Sequence, residues 1–323
     1  MVKVAVLDDW QRVARQSADW APLLARAELS FFYDAFENED HAASELADFD
    51  ILMTMRERTA FPASLVSKLT NLKMLTMTGA RAASIDVAAL SARGVTVCYT
   101  QGGGTGSATA ELALGLMIAA VRGIVAADAG IRAGKFQDGT LPGYELAGHT
   151  LGLIGLGRLG SHMARYGAAL GMKVIAWSPH LTSERAAEAG ARLVDKGELF
   201  TQADVASLHL VLSDRTRGII GGEELGRMKA GAILVNTSRG PLIDEAALIE
   251  VLSARKIVAA LDVYDREPLP QNHPFRFLPN VVLTPHLGYV TAETFGVFYA
   301  QSIENVLAFL AGKPTRVVPA PKS

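Results

Sequence analysis

Cysteine is nearly absent, since Cys98 is the one cysteine among 323 residues. A single thiol forms no internal disulfide and builds no cysteine cage for a metal, which fits a reducing, cytoplasmic setting. Charge of one sign is lacking as well: 31 Lys and Arg stand against 33 Asp and Glu, a formal balance of −2. A protein that neutralises phosphates along a nucleic acid shows a basic excess or a clustered basic stripe, and neither is visible. Long hydrophobic runs are missing too. The most lipid-like stretch, Leu112 to Val121, is flanked by Glu111 and Arg122 and is about half the roughly 20 residues that a membrane span needs. It reads as a buried helix segment, so no membrane partner is expected. The opening MVKVAVLDDW is interrupted by Lys3, Asp8 and Asp9 and has no secretory h-region. The seven histidines show no metal-ligand spacing, and no metal is expected.

What is abundant is apolar surface. Half of the residues are apolar, enough to fill a core, and at this length roughly 75% of the unfolded chain's surface is buried on folding, in about two domains. Short apolar runs at 2–7, 31–36, 50–55, 72–78 and 95–99 alternate with helical spacing at 11–25, 41–48, 62–70 and 85–92. Such alternation implies right-handed βαβ crossovers and a parallel sheet. QGGGTGS at 101–107 then breaks the pattern and places a boundary or hinge near 99–105. One long helix is expected from 108 to about 130, followed by six strands at 150–154, 173–177, 205–210, 232–235, 258–261 and 281–283. The fold class is therefore α/β: a doubly wound parallel Rossmann domain at 99–289, and a smaller flavodoxin-like α/β domain that is discontinuous in sequence, 1–98 plus 290–323. The terminal helix at 291–311 has no strand after it and is expected to dock back on the first unit, with a cleft between the domains.

The strongest local signal is LGLIGLGRLG, where Gly155, Gly157 and Gly160 lie between an apolar strand and a helix. Gly155 permits a tight turn, Gly157 lets the backbone approach a pyrophosphate, and Gly160 allows close helix–strand packing, while the helix N-terminus favours negative charge. The ribose-binding acid expected about 20 residues on is replaced by Ser178. One hold on a 2′-hydroxyl is thereby lost, and so is the repulsion of a 2′-phosphate. No arginine follows at once and His180 is a partial substitute, so the cofactor is NAD or NADP, with NAD favoured.

Three later segments each set a polar residue beyond the end of an apolar run. Arg239 in NTSRGPLID suits bidentate binding of a carboxylate. Asp262 and Glu267 lie in ALDVYDREPLP, and His286 lies in TPHLG. Histidine is the usual proton donor and acceptor near neutral pH, and a neighbouring carboxylate favours its charged form. Spacing alone does not bring Glu267 to His286.

Together GHTLGLIGLGRLG, SLHLVLSDRT, NTSRGPLID, ALDVYDREPLP and TPHLG resemble, in order and approximate spacing, the D-isomer-specific 2-hydroxyacid dehydrogenases, which include glyoxylate/hydroxypyruvate reductases and phosphoglycerate dehydrogenases. The resemblance covers nearly the whole chain. It implies an oxidoreductase that transfers hydride between NAD(P)H and a 2-ketoacid or D-2-hydroxyacid, small substrates such as glyoxylate or hydroxypyruvate being favoured, and a homodimer. It implies that Arg239 binds the substrate carboxylate and carbonyl, that His286 is the general acid/base, and that Glu267 holds and charges it. It places Asp262 at the nicotinamide carboxamide, with Arg158, Leu159, Leu210, Thr216, Thr237, Ser238 and Gly288 near the cofactor. Substrate carboxylate binding is implied for the backbone of Gly79, Ala80 and Arg81, although Arg81 replaces the family's second glycine there. Arg56 is a second candidate anion contact, with a solvated arginine as the plain alternative. Val211 and His149 replace a proline and a lysine common in the family, away from the inferred chemistry. The rival from another class is a non-catalytic NAD(H)-sensing binding protein of the corepressor type, which can keep the same residues.

Overall fold

The computed structural model describes residues 1–80, 82–103, 105–140 and 142–319. The chain divides into two compact units, Met1–Thr105 with Thr291–Ser323, and Gly106–Val290.

In the first unit the order is β1 (Val2–Val6), α1 (Ala14–Ser17), α2 (Ala21–Leu24), β2 (Ala27–Phe31), α3 (Glu39–Leu46), β3 (Ile51–Thr54), α4 (Ala63–Lys68), β4 (Met74–Met77), α5 (Val87–Ala92) and β5 (Thr96–Tyr99). The five strands form a parallel sheet in the order β2-β1-β3-β4-β5. Every residue of β3 and β4 is buried, which is why these strands read as continuous apolar runs rather than as alternating ones. The terminal helix Ala292–Leu310 belongs to this unit, where Asn305 Nδ2 donates to Thr76 Oγ1 and to the Tyr99 carbonyl at 3.0 Å each. Cys98 is buried, and burial pushes its thiol up to about 11, so it is an inert core residue.

Two local expectations give way to tertiary packing. Of the aromatic run at 31–36 only Phe31 is in a strand, as the last residue of β2; Phe32 instead packs against Phe36 and Phe49, with ring centroids 5.6 and 5.8 Å apart, because aromatic residues favour any well-packed half-buried surface. The helix expected at 11–25 is two single turns. Pro22 starts the second, where a missing N–H does no harm, and would break a continuous helix.

The second unit opens with α6 (Ala108–Arg122) and α7 (Ile124–Arg132) in place of one long helix. Gly123 adopts a left-handed conformation with φ 59° and the two helices bend by 65°. Then follow β6 (Thr150–Ile154), α8 (Arg158–Ala169), β7 (Lys173–Trp177), α9 (Ser183–Glu188), β8 (Arg192–Leu193), α10 (Lys196–Gln202), β9 (Val205–Leu208), α11 (Gly222–Arg227), β10 (Ile233–Asn236), α12 (Glu245–Ser253), β11 (Val258–Leu261) and β12 (Val281–Leu283). The sheet is parallel and has seven strands in the order β12-β11-β10-β9-β6-β7-β8. The strand beyond the expected six is β8, whose two residues are too few to show a period. Strand order reverses between β6 and β9, which run parallel, the switch point at which open sheets of this kind leave a crevice beyond the strand ends. Among the described residues no single helix is long and apolar enough to cross a membrane.

Candidate active site

The turn after β6 is built for close approach. Gly155 has φ +98°, and a Cβ on it would stand 2.7 Å from the His209 carbonyl and 3.0 Å from Leu210 Cδ2. At Gly160 a Cβ would overlap the Gly155 carbonyl, so only glycine lets α8 sit this near the strand. A Cβ on Gly157 would meet nothing within 4 Å. The 12-residue α8 begins here without a side-chain cap, so its first N–H groups are available to an anion. Arg158 is exposed at the first position of the helix, with its guanidinium over Gly106; Leu159 is half-buried and packs into the core.

Around this turn stand the other residues expected at the cofactor. Ser178 is half-buried directly after β7. Thr237 follows β10 and buries a hydroxyl that has no partner among the described residues. Ser238 Oγ donates to the Leu208 carbonyl at 2.8 Å, tying this segment to β9, and Thr216 Oγ1 donates to the Val211 carbonyl at 2.7 Å. Beneath the turn, Ser207 Oγ lies 2.9 Å from His209 Nε2, and burial pushes that imidazole down to about 4, so it stays neutral. An uncapped helix start, open space at Gly157 and an orphaned buried hydroxyl at Thr237 together fit a dinucleotide. No cluster of three or more metal-ligating side chains occurs among the described residues.

The polar residues beyond β10, β11 and β12 converge because these strands are neighbours in register, with Asn236 beside Leu261 and Leu261 beside Leu283. His286 Nδ1 lies 2.6 Å from Glu267 Oε2, and the two side chains are 12% and 21% exposed. Nδ1 is thereby taken, and Nε2 has no partner among the described residues. His286 has φ +55°, unusual for a residue with a side chain. Asp262, fully buried, accepts Thr284 Oγ1 (2.6 Å) and the Leu287 N–H (2.7 Å) on Oδ1, and the Gly288 N–H (2.9 Å) on Oδ2. Burial raises this carboxyl against the lowering effect of those bonds and of His286. Gly288 is held from its other side by Thr109 Oγ1, which donates to its carbonyl at 2.7 Å.

Arg239 is half-buried, and its Nη1 donates to the Ser238 carbonyl at 2.7 Å. Asn236 braces its backbone, donating from Nδ2 to the Arg239 carbonyl (2.9 Å) and accepting the Ser238 N–H on Oδ1 (3.0 Å). The next residue, Gly240, packs so tightly on Tyr264 and Asp265 that a Cβ would overlap their backbone, which brings the arginine turn to the segment carrying Glu267.

In the first unit, the ends of β3 and β4 hold the other expected anion contacts. Arg56 has φ +53°, donates its N–H to Thr78 Oγ1 at 2.7 Å and lays its guanidinium over Gly79, whose φ of +83° and N–H bond to Thr100 Oγ1 (3.0 Å) fix the loop. Ala80 is exposed. Arg81 lies outside the described residues. Sequence reasoning passed over Asn236, Tyr264, Thr284 and Thr109, and also Asp8, whose carboxylate accepts Thr59 Oγ1 at 3.0 Å beside this edge. Asn236, Tyr264 and Thr284 lie within the quoted motifs NTSRGPLID, ALDVYDREPLP and TPHLG, and no local pattern marks what each of them holds.

A family model described as "D-isomer specific 2-hydroxyacid dehydrogenase, NAD binding domain" matches residues 114–288. The chain is similar to a D-3-phosphoglycerate dehydrogenase of Archaeoglobus fulgidus, 40% identical over 258 residues, which are 79% of this chain and 49% of that protein. It is 38% identical to a hydroxypyruvate reductase of Thermotoga maritima over 275 residues, 84% of this chain and 88% of that one. The crystal structure of a phosphoglycerate oxidoreductase from Vibrio cholerae superposes with a TM-score of 0.91 at 38% identity, covering 97% of this chain and 100% of that chain. The chain spans about half the length of the phosphoglycerate dehydrogenases it matches.

Proposed function

The chain belongs to the D-isomer-specific 2-hydroxyacid dehydrogenase family, and from that premise we propose that it is a nicotinamide-dependent reductase of small 2-ketoacids such as glyoxylate or hydroxypyruvate. The observation that carries this reading is the 2.6 Å pair of His286 Nδ1 and Glu267 Oε2. A carboxylate on Nδ1 fixes the ring and leaves Nε2 to deliver a proton to a ketone oxygen. Arg239 fixes the substrate carboxylate by a forked pair of hydrogen bonds and polarises the carbonyl. Asp262 holds the loop that carries His286. Gly155, Gly157, Gly160 and the start of α8 hold the pyrophosphate of the cofactor, with Arg158, Leu159, Leu210, Thr216, Thr237, Ser238 and Gly288 around it. The reduced nicotinamide supplies the hydride when bound. Ser178 offers no carboxylate to repel a 2′-phosphate and no arginine follows at once to clamp one, so the cofactor is NAD or NADP, with NAD favoured. A homodimer is proposed from the exposed apolar side chains Ile124, Val125, Ile131 and Phe136 on and after α7.

The test is loss of absorbance at the reduced-nicotinamide band with NADH and NADPH in parallel, against glyoxylate, hydroxypyruvate, pyruvate and larger ketoacids. Turnover of the small ketoacids with NADH supports the proposal. Binding of NADH without turnover of any ketoacid overturns it in favour of a sensing role.

A further inference from the structure

Proton delivery from His286 needs its ring and Glu267 to keep one arrangement, yet His286 sits at φ +55°. A residue with a side chain holds that conformation only where its surroundings over-determine it. On the C-terminal side the restraint is plain, because Asp262 grips the N–H groups of Leu287 and Gly288. On the other side Asp262 takes the Thr284 hydroxyl, and the Tyr264 hydroxyl lies 2.9 Å from the Thr284 carbonyl and 3.2 Å from that of Leu261. The Thr284 carbonyl also accepts the His286 N–H at 3.1 Å, closing the tight turn that carries the histidine.

Tyr264 touches the other two segments as well. Its backbone N–H donates to Glu267 Oε1 at 3.1 Å, on the oxygen opposite the one facing His286. Its backbone is the surface on which Gly240, the residue after Arg239, packs too closely for any Cβ. We propose that Tyr264 is a positioning residue that registers His286, Glu267 and Arg239 with one another: its hydroxyl on the histidine segment, its amide on the glutamate and its backbone under the arginine turn. The assignment rests on the reading of His286 as the proton donor.

The plain alternative is a core tyrosine whose hydroxyl is merely satisfied. The ring lies in the apolar cluster with Leu242, Leu261, Leu269 and Phe275, space that a phenylalanine ring fills equally well, so packing does not call for the hydroxyl. Burial raises the phenol well above its ordinary range, so it remains a donor throughout the working pH.

The experiment is Tyr264→Phe in the full chain, which removes one O–H and keeps both the ring and the backbone. In ketoacid reduction kcat falls on the order of tenfold and KM for the ketoacid stays within about twofold. In a Glu267→Gln background the same change adds little, since both act through one bond. A Tyr264→Phe variant with lowered thermal stability but wild-type kcat overturns the assignment and makes the hydroxyl a core bond. Absence of ketoacid turnover in the wild-type chain overturns the underlying reading, and the assignment with it.

Discussion

Glu267→Gln is the sharpest probe of the proposed chemistry, because at nearly constant shape it removes the charge and turns the acceptor facing His286 Nδ1 into a donor. The amide keeps a carbonyl oxygen to accept the Tyr264 N–H, now made to Glu267 Oε1 at 3.1 Å. What is lost is the attraction between a carboxylate and an imidazolium whose facing atoms are 2.6 Å apart. With charge centres about 4 Å apart and an effective dielectric near 20, that attraction is about 4 kcal/mol. Both side chains retain some solvent contact, 12% and 21% exposed, and screening reduces the usable part to about half. A loss of about 2 kcal/mol from the transition state lowers the rate roughly thirtyfold. Steady-state reduction of glyoxylate should therefore show kcat/KM down by roughly thirtyfold, with NADH affinity unchanged. Hydroxyacid oxidation should fall too, because an amide whose oxygen stays on the Tyr264 N–H turns its NH2 toward His286 Nδ1 and leaves the ring proton on Nε2, where it blocks proton acceptance. No loss in either direction would refute the role of Glu267 in holding the histidine.

Asp8, 4% exposed, has its carboxyl raised from 3.8 to about 6 by burial, against the lowering from Thr59 and Arg58. Because the folded value is raised, this group's favourable contribution is complete below about pH 4 and lost as pH rises through about 6. Asp8→Asn should therefore raise stability at pH 8 by up to about 3 kcal/mol and change little at pH 4, as read by urea unfolding at both values. Gly157→Ala puts a methyl into open space and should leave apo thermal stability within about 0.5 kcal/mol while weakening NADH about tenfold or more in a fluorescence titration. Gly160→Ala meets the Gly155 carbonyl and should cost about 1–3 kcal/mol of stability as well; equal unfolding behaviour of the two variants would contradict the packing described. Arg239→Ala should lower kcat/KM for ketoacids by about 100-fold or more, mainly through KM, with NADH binding intact.

How much of this molecule could be read without coordinates follows from how local each determinant is. Strand–helix alternation fixed both parallel sheets, since apolar runs and their periods are properties of short windows. The turn at Gly155, Gly157 and Gly160 was legible for the same reason, as the backbone conformation and close approach it needs are met by glycine alone. Local patterns also misled: Phe32 and Phe36 looked like a strand and pack as a loop cluster, and the helix from Ala108 breaks at Gly123. The polar residues beyond the strands could be named singly, but their partnership could not. Glu267 meets His286 because β11 and β12 run side by side with Leu261 against Leu283, and strand register is set by whole-sheet packing rather than by any window of sequence. For the same reason Asp262 closing on Thr284, Leu287 and Gly288, the reach of Tyr264 to three segments, and the burial that raises Asp8 were decided only when side chains distant in sequence were folded into the low-dielectric interior of their own unit.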